Sequence, residues 1–144
     1  MQLPDPTLDP AYYSDLLPKR VLAWVVDLII TFVLVLVVLF LTLFLTAVIF
    51  PLVWITITIA YRYVLLTRNG ATWGMMLAAL RLRRLDGGRP DPLTCLWHAA
   101  IYSGCMATVI GQIASIALML TTPYRQGLND MLLGTTMVHR DLRD

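Results

Sequence analysis

The sequence predicts an all-α integral membrane protein: a small helical bundle of three hydrophobic segments plus a short interfacial amphipathic helix. Composition and charge placement predict it. Hydrophobic residues make up 58% of the 144-residue chain and charged residues 14%, well below the roughly 25% charged of a soluble domain. The charges are also segregated. Residues 21–66 carry only Asp27 and Arg62, and residues 96–123 carry none, whereas 67–95 carry seven and 124–144 carry six. An ordinary soluble enzyme and a disordered chain both conflict with this composition. The net charge of +2 is too small to argue for a nucleic-acid partner.

Residues 1–16 read as a flexible tail, because Pro4, Pro6 and Pro10 alternate with Asp5, Asp9 and Asp15 and proline resists helix continuation. No apolar core stands close behind a basic start, as a secretory signal requires. Tyr12 and Tyr13 suit the headgroup level. Residues 21–61 form one apolar run broken only by Asp27. A crossing takes about 20 residues, so the run holds two, placed at about 20–46 and 50–66, with Pro51 in a first helical turn. Arg62 then falls where a long side chain snorkels to water, and Arg68-Asn69-Gly70 ends the span.

Residues 73–84, WGMMLAALRLRR, are too short to cross. Trp73, Met76, Leu77 and Leu80 share a helical face and Arg81, Arg83 and Arg84 gather at its end. This predicts a helix lying in the interface with arginines toward anionic lipid; the alternative is a cytoplasmic helix packed on the bundle. Asp86-Gly87-Gly88 marks a turn. Lys19 and Arg20 before the first span, and Arg68, Arg81, Arg83, Arg84 and Arg89 after the second, agree on a cytoplasmic N-terminus.

The third segment, about 96–120, is uncharged. It either crosses once, leaving residues 124–144 outside, or breaks at Gly104 or Gly111 into a hairpin that returns 124–144, with the C-terminal tail 140–144, to the cytoplasm; Arg125, Arg140 and Arg143 favour the bent form. Ala107, Gly111 and Ser115 recur every four residues, as do Ala100 and Gly104, a spacing that lets helices approach closely within the chain or between copies. Cys95 and Cys105 fit no metal spacing and read as reduced, partly buried thiols. His98 reads as an interfacial helix residue rather than a ligand.

Asp27 is the sharpest residue. It follows Arg20 by seven positions, which returns it to the same face about 10 Å deeper. An Asp at helix centre costs about 2.5–3.5 kcal/mol, so it calls for a partner, a cavity or a job. It is either a proton or cation site or a buried polar link between helices. Asp130 could cap a short helix over Leu128–Leu133, pair with Arg20, or face water.

These pieces together resemble one family. Arg20-Val21-Leu22-Ala23 followed by Asp27, then Gly70-Ala71-Thr72-Trp73-Gly74, then Arg125-Gln126-Gly127-Leu128-Asn129-Asp130 and Gly134-Thr135-Thr136-Met137-Val138 resemble the RDD family of small membrane proteins over residues 17–139. By that resemblance Arg20, Asp27 and Asp130 are the family's arginine and two aspartates. Gly70, Thr72, Gly74, Arg125, Gly127, Gly134 and Thr135 support its motifs. Two positions depart from it: Met75 stands where a basic residue is common, and Asn129 where a histidine is common, which removes an imaginable proton relay beside Asp130. The resemblance implies transport of small solutes or monovalent cations, and the expected coupling is to protons through Asp27, with Arg20 lowering its pKa and Asp130 completing the network; the alternative is a non-transporting adaptor or accessory subunit in which the three form a polar clamp. The expected setting is the plasma membrane. The expected partners are the lipid bilayer, further copies of the chain (at least a dimer) and other membrane proteins, with no nucleic acid, cofactor or metal. No nucleophile–base constellation or Walker loop is present, so an enzyme is not expected.

Overall fold

A computed structural model describes residues 3–42 and 45–140. The first helix, α1, runs Leu16–Leu41, about 39 Å at 1.5 Å per residue, and therefore exceeds a hydrocarbon core of about 30 Å. It starts earlier and ends earlier than predicted. Its buried residues are Leu16, Arg20, Ala23, Asp27, Thr31, Val35 and Leu39. They recur every three or four positions and so form one stripe. The remaining faces expose Val21, Ile29, Phe32, Val33 and Val37, with no polar face, which suits lipid rather than water. A 3-10 turn at Leu45–Ile49 leads into α2, Phe50–Asn69, with Pro51 in its first turn. Both helices are long and apolar enough to cross a membrane, with window mean hydropathies of 3.0 and 1.8. Gly70 closes α2 at φ 69°, a left-handed cap that favours glycine.

The interfacial helix expected over 73–84 is not formed. Helix α3 covers only Trp73–Leu77. Ala79 then takes φ 56°, which no continuing α-helix allows, and strand β1 follows at Leu80–Arg84. The residues Leu-Arg-Leu-Arg alternate with period two, so Leu80 and Leu82 are buried while Arg81 and Arg83 are half-buried. Strand geometry, with successive side chains on opposite faces, accounts for this alternation. The chain is thus mostly helical rather than all-α.

The third segment starts with α4 at Pro92–Ala107, capped by Asp91, which accepts from the Thr94 N–H at 3.2 Å. It continues as α5, Val109–Thr121, bent from α4 by 116°. The break falls at Thr108, not at Gly104 or Gly111. Thr108 is extended (φ −127°, ψ 133°), and its hydroxyl accepts from the Gly111 N–H and so caps the second helix. Helix α6, Leu128–Leu133, and strand β2, Thr135–His139, complete the described chain. Strands β1 and β2 pair antiparallel with Leu82 opposite Met137.

The charged loops therefore gather at one end of the long helices. There Tyr13, Leu16, Leu66, Met75, Leu80, Leu82, Cys95 and Val138 form the core. Part of the segment expected as a tail is folded onto it. Tyr13 is buried, donates to the Pro4 carbonyl at 2.9 Å and meets Tyr124 edge-on. Residues 141–144 of the predicted C-terminal tail lie outside the described residues. In the small-residue stripe Ser115 is buried and accepts from the Leu128 N–H at 3.1 Å, so it seats α6; Gly104 and Ala107 are exposed.

The strand pairing is testable. With Cys95 and Cys105 replaced by serine, Leu82→Cys and Met137→Cys together should form an intramolecular disulfide on mild oxidation, because directly opposed residues bring their Cα atoms within about 4.5–5.5 Å. Failure to cross-link in membranes, while single cysteines at both sites react with a small permeant maleimide after mild unfolding, would mean the loop and the tail do not meet.

Candidate functional site

The two predicted aspartates are buried in separate clusters of the same construction. Asp27 is 4% exposed and Asp130 fully buried. An isolated buried charge costs several kcal/mol, so each oxygen must be satisfied. At Asp27, Oδ1 accepts from the Tyr61 hydroxyl at 2.8 Å and the Gly74 N–H at 2.9 Å. Oδ2 accepts from the Thr72 hydroxyl at 2.5 Å and from Arg62 at 3.5 Å. At Asp130, Oδ2 accepts from Arg20 at 2.5 Å and the Gly127 N–H at 3.1 Å. Oδ1 accepts from His98 at 3.0 Å and the Thr135 hydroxyl at 3.2 Å.

Each carboxylate thus holds one arginine, one threonine, one ring donor and one backbone N–H. The motif positions supply Arg20, Thr72, Gly74, Gly127 and Thr135, whereas Tyr61, Arg62 and His98 come from outside the motifs. Gly74 presses α3 against α1 so closely that a Cβ there would collide with the Ala23 carbonyl oxygen and stand 2.6 Å from Asp27 Oδ1. Thr72 caps α3, accepting from the Met75 N–H at 3.2 Å while donating to Asp27. Arg125 serves through its backbone: at φ 53° its carbonyl accepts from Arg20 at 3.2 Å. Gly134 ends α6 at φ 62° and hands the chain to Thr135, whose carbonyl accepts from Gln126 at 2.6 Å.

Three sequence-based expectations are corrected by this geometry. Arg20 does not join Asp27; it pairs with Asp130. Arg62 does not snorkel. It is 3% exposed, pairs with Asp27, and lies 3.7 Å from the centroid of the Tyr102 ring. His98 is fully buried, and because a carboxylate only accepts, its Nε2 donates to Asp130. An imidazole therefore does stand beside Asp130, supplied by α4 rather than by position 129. Asn129 reaches the same ring at 2.9 Å.

The clusters differ in surroundings. Asp130 is sealed. Burial by itself would raise its carboxyl, but the Arg20 guanidinium, helped by the His98 hydrogen bond, overrides this and holds it well below the usual carboxylate range. Asp27 instead lies on the wall of a cavity of about 130 Å³ that Thr31, Thr58, Tyr61, Arg62 and Ser103 also line. The Thr58 and Ser103 hydroxyls donate to carbonyls of their own helices, which leaves their oxygens free to accept. Arg62 Nε, in the same wall, is buried without a hydrogen-bond partner. Among the described residues no three of His, Cys and Asp converge as ligands for a metal ion.

Long apolar helices closed at one end by a small charged cap, with ionised side chains between them, define a helical integral membrane protein. The sequence model of the RDD family matches residues 16–134, most of the chain. The chain belongs to the RDD family. No curated protein and no solved structure matches it.

Two outcomes follow. Gly74→Ala should destabilise the protein by about 1–3 kcal/mol through overpacking, whereas Gly104→Ala, with nothing within 4 Å of the added carbon, should be neutral; thermal unfolding in detergent compares them. Asp130→Asn leaves Arg20 buried and unpaired, a loss of about 3–5 kcal/mol. The folded pKa of Asp130 lies below its unfolded value of about 3.9. The pair's contribution should therefore be complete above about pH 4 and fade as acid protonates the folded carboxylate. A midpoint flat from neutral to acid pH beyond that point would contradict this.

Proposed function

We propose that this membrane protein moves a small solute or monovalent cation across the plasma membrane in exchange for a proton, with Asp27 as the exchanging group. The observation that carries this reading is the Asp27 cavity: an ionisable group on the wall of a mostly apolar space between α1, α2 and α4, into which the Thr31, Thr58 and Ser103 side chains bring hydroxyl groups. Intramembrane carboxylates in such places mark ion and proton pathways. Arg62 is then the competing cation, in the part first given to Arg20. Its 3.5 Å contact with Asp27 is at the limit of an ion pair, and it already rests on Tyr102, which can hold it when Asp27 takes another cation. The Tyr61 and Thr72 hydroxyls donate to the carboxylate, yet by rotating they can offer lone pairs to a cation beside it. Protonation of Asp27 releases that cation and resets the site.

Arg20 and Asp130 hold α1 against the cap while this happens. The basic residues of the cap face the cytoplasm by the positive-inside rule, with the N-terminus on that side. Two full spans and one bent segment enclose little space, so the working unit is at least a dimer. A second reading is favoured by the four donors on each carboxylate. With no lone pair left over, the clusters would be a polar clamp, and the chain an adaptor or accessory subunit.

Proteoliposomes loaded with a pH-sensitive dye and pulsed with sodium, lithium or potassium separate the two. Transport predicts cation-driven proton movement that Asp27→Asn abolishes while the variant stays folded, since the amide keeps size and hydrogen bonding but cannot titrate. Absence of movement from well-folded wild-type protein would sink the transport reading in favour of the clamp.

A further inference from the structure

The Asp27 cavity is polar at one end and apolar at the other. Helices α1 and α4 run away from the cap and α2 runs toward it. Asp27, Tyr61 and Tyr102 therefore stand at the cap end of the cavity, and Trp54, Ile55 and Met106 at the far end. Seven residues of α2, about 10 Å, separate Tyr61 from Trp54. The volume of about 130 Å³ is close to the roughly 150 Å³ that holds a benzene-sized guest, about six non-hydrogen atoms.

The chain already sets an organic cation against this carboxylate. Arg62 is a guanidinium on a short hydrocarbon stem, buried, 3.5 Å from Asp27 Oδ2 and 3.7 Å from the centroid of the Tyr102 ring. Both Asp27 oxygens accept from two donors each. A guest with N–H groups replaces Arg62 donor for donor and leaves the Tyr61, Thr72 and Gly74 bonds as they are. An alkali-metal ion has no hydrogen to give. It needs those hydroxyls to turn, and it needs further oxygens in place of its water shell. The far end of the cavity, at Trp54, Ile55, Met106 and Ala107, has no side-chain oxygen to offer. A guanidinium is more weakly hydrated than a compact ammonium, aromatic ring faces attract it, and a hydrocarbon body attached to it gains by burial in an apolar space.

We propose that the preferred cargo of the Asp27 site is a small organic cation with a short apolar body, of the alkylguanidinium class, rather than an alkali-metal ion. The assignment rests on the exchange at Asp27 proposed above and names what is exchanged. The charged head takes the place of Arg62 at the carboxylate while Arg62 stays on Tyr102, and the alkyl group lies toward Trp54 and Ile55. A guanidinium head uses four of the roughly six non-hydrogen atoms the space accepts, so an ethyl or propyl group fills the remainder.

The test uses the full chain in proteoliposomes loaded with a pH-sensitive dye, pulsed with sodium or with alkylguanidinium salts from methyl to hexyl. These cations stay charged at every working pH and so carry no proton across as free bases. Ethyl- or propylguanidinium should drive half-maximal proton movement at a concentration about tenfold or more below that of sodium, each methylene up to the optimum lowering it about fourfold. Beyond the optimum the required concentration should rise again. Ala107→Leu, which fills part of the far end, should move the optimum to a shorter chain. A sodium requirement less than about tenfold higher overturns the proposal and leaves exchange at Asp27 standing. A steady gain through hexyl, the same in Ala107→Leu as in wild type, also overturns it, because it reports partition into lipid. Absence of proton movement with sodium and with every guanidinium, from folded protein, ends the exchange reading and this proposal with it. If Ala107→Leu fails to fold, the wild-type chain-length series measured against sodium still decides.

Discussion

Arg20 and Asp130 stand 110 positions apart in sequence and 2.5 Å apart in the folded chain, both shut away from water. Each alone would be an uncompensated buried charge, so they must meet. The rest of the architecture follows from that meeting. Arg20 is near the start of α1, so α6 has to lie at that same end. The apolar segment between 92 and 121 must therefore bring the chain back, which it does by the 116° turn at Thr108. Once returned, the chain places β2 beside the loop after α2, and β1 has a partner. A sheet of only two strands is marginal by itself. Here it is supported by the core beneath it and by the ion pair that fixes its second strand.

The same chemistry is used twice with different surroundings. Both aspartates take an arginine, a threonine, a ring donor and an N–H. Asp130 has a short contact to its arginine, which a backbone carbonyl of Arg125 also holds, and is itself fully buried. Asp27 has a long contact to an arginine with an idle nitrogen, and a cavity next to it. The first arrangement resists change. On the proposed exchange, the second would trade one partner for another without opening the fold, because the Gly74 N–H keeps hold of the carboxylate meanwhile.

The long helices were legible because lipid imposes a crude rule: about 20 apolar residues, interrupted only where function or packing demands. Asp27 stood out by breaking that rule, and the RDD motifs named Arg20 and Asp130. What sequence spacing did not convey was pairing. Arg20 and Asp27 share a helix face, which suggested contact, but seven residues put them about 10 Å apart along the axis, and partners from other elements intervene. His98 and Arg62 depart from the sequence reading for one reason. A long or amphipathic side chain near a span end ordinarily reaches for water, and only tertiary structure reveals that a carboxylate waits nearer. The β1 strand was hidden by an ambiguity of short segments, since five residues fit a helical face and an alternation almost equally. Its partner lies 50 residues later and leaves no local trace.

Stability considerations sharpen the contrast between the two arginines. Buried ion pairs are poor stabilisers compared with well-packed apolar side chains of similar volume. Arg20 with Asp130 has a topological role that no apolar pair would specify so narrowly, because it joins the first helix to the end of the chain. Arg62 with Asp27 has no such role. The helices α1 and α2 are already neighbours through a connection of eight residues, 42–49, and apolar packing alone would hold them. A loosely paired guanidinium with an unmet donor, kept between adjacent apolar helices, weakens the bundle relative to leucine or methionine at the same place. Its presence is understandable when the pair must be able to part, and the cavity beside it gives the parted groups somewhere to go.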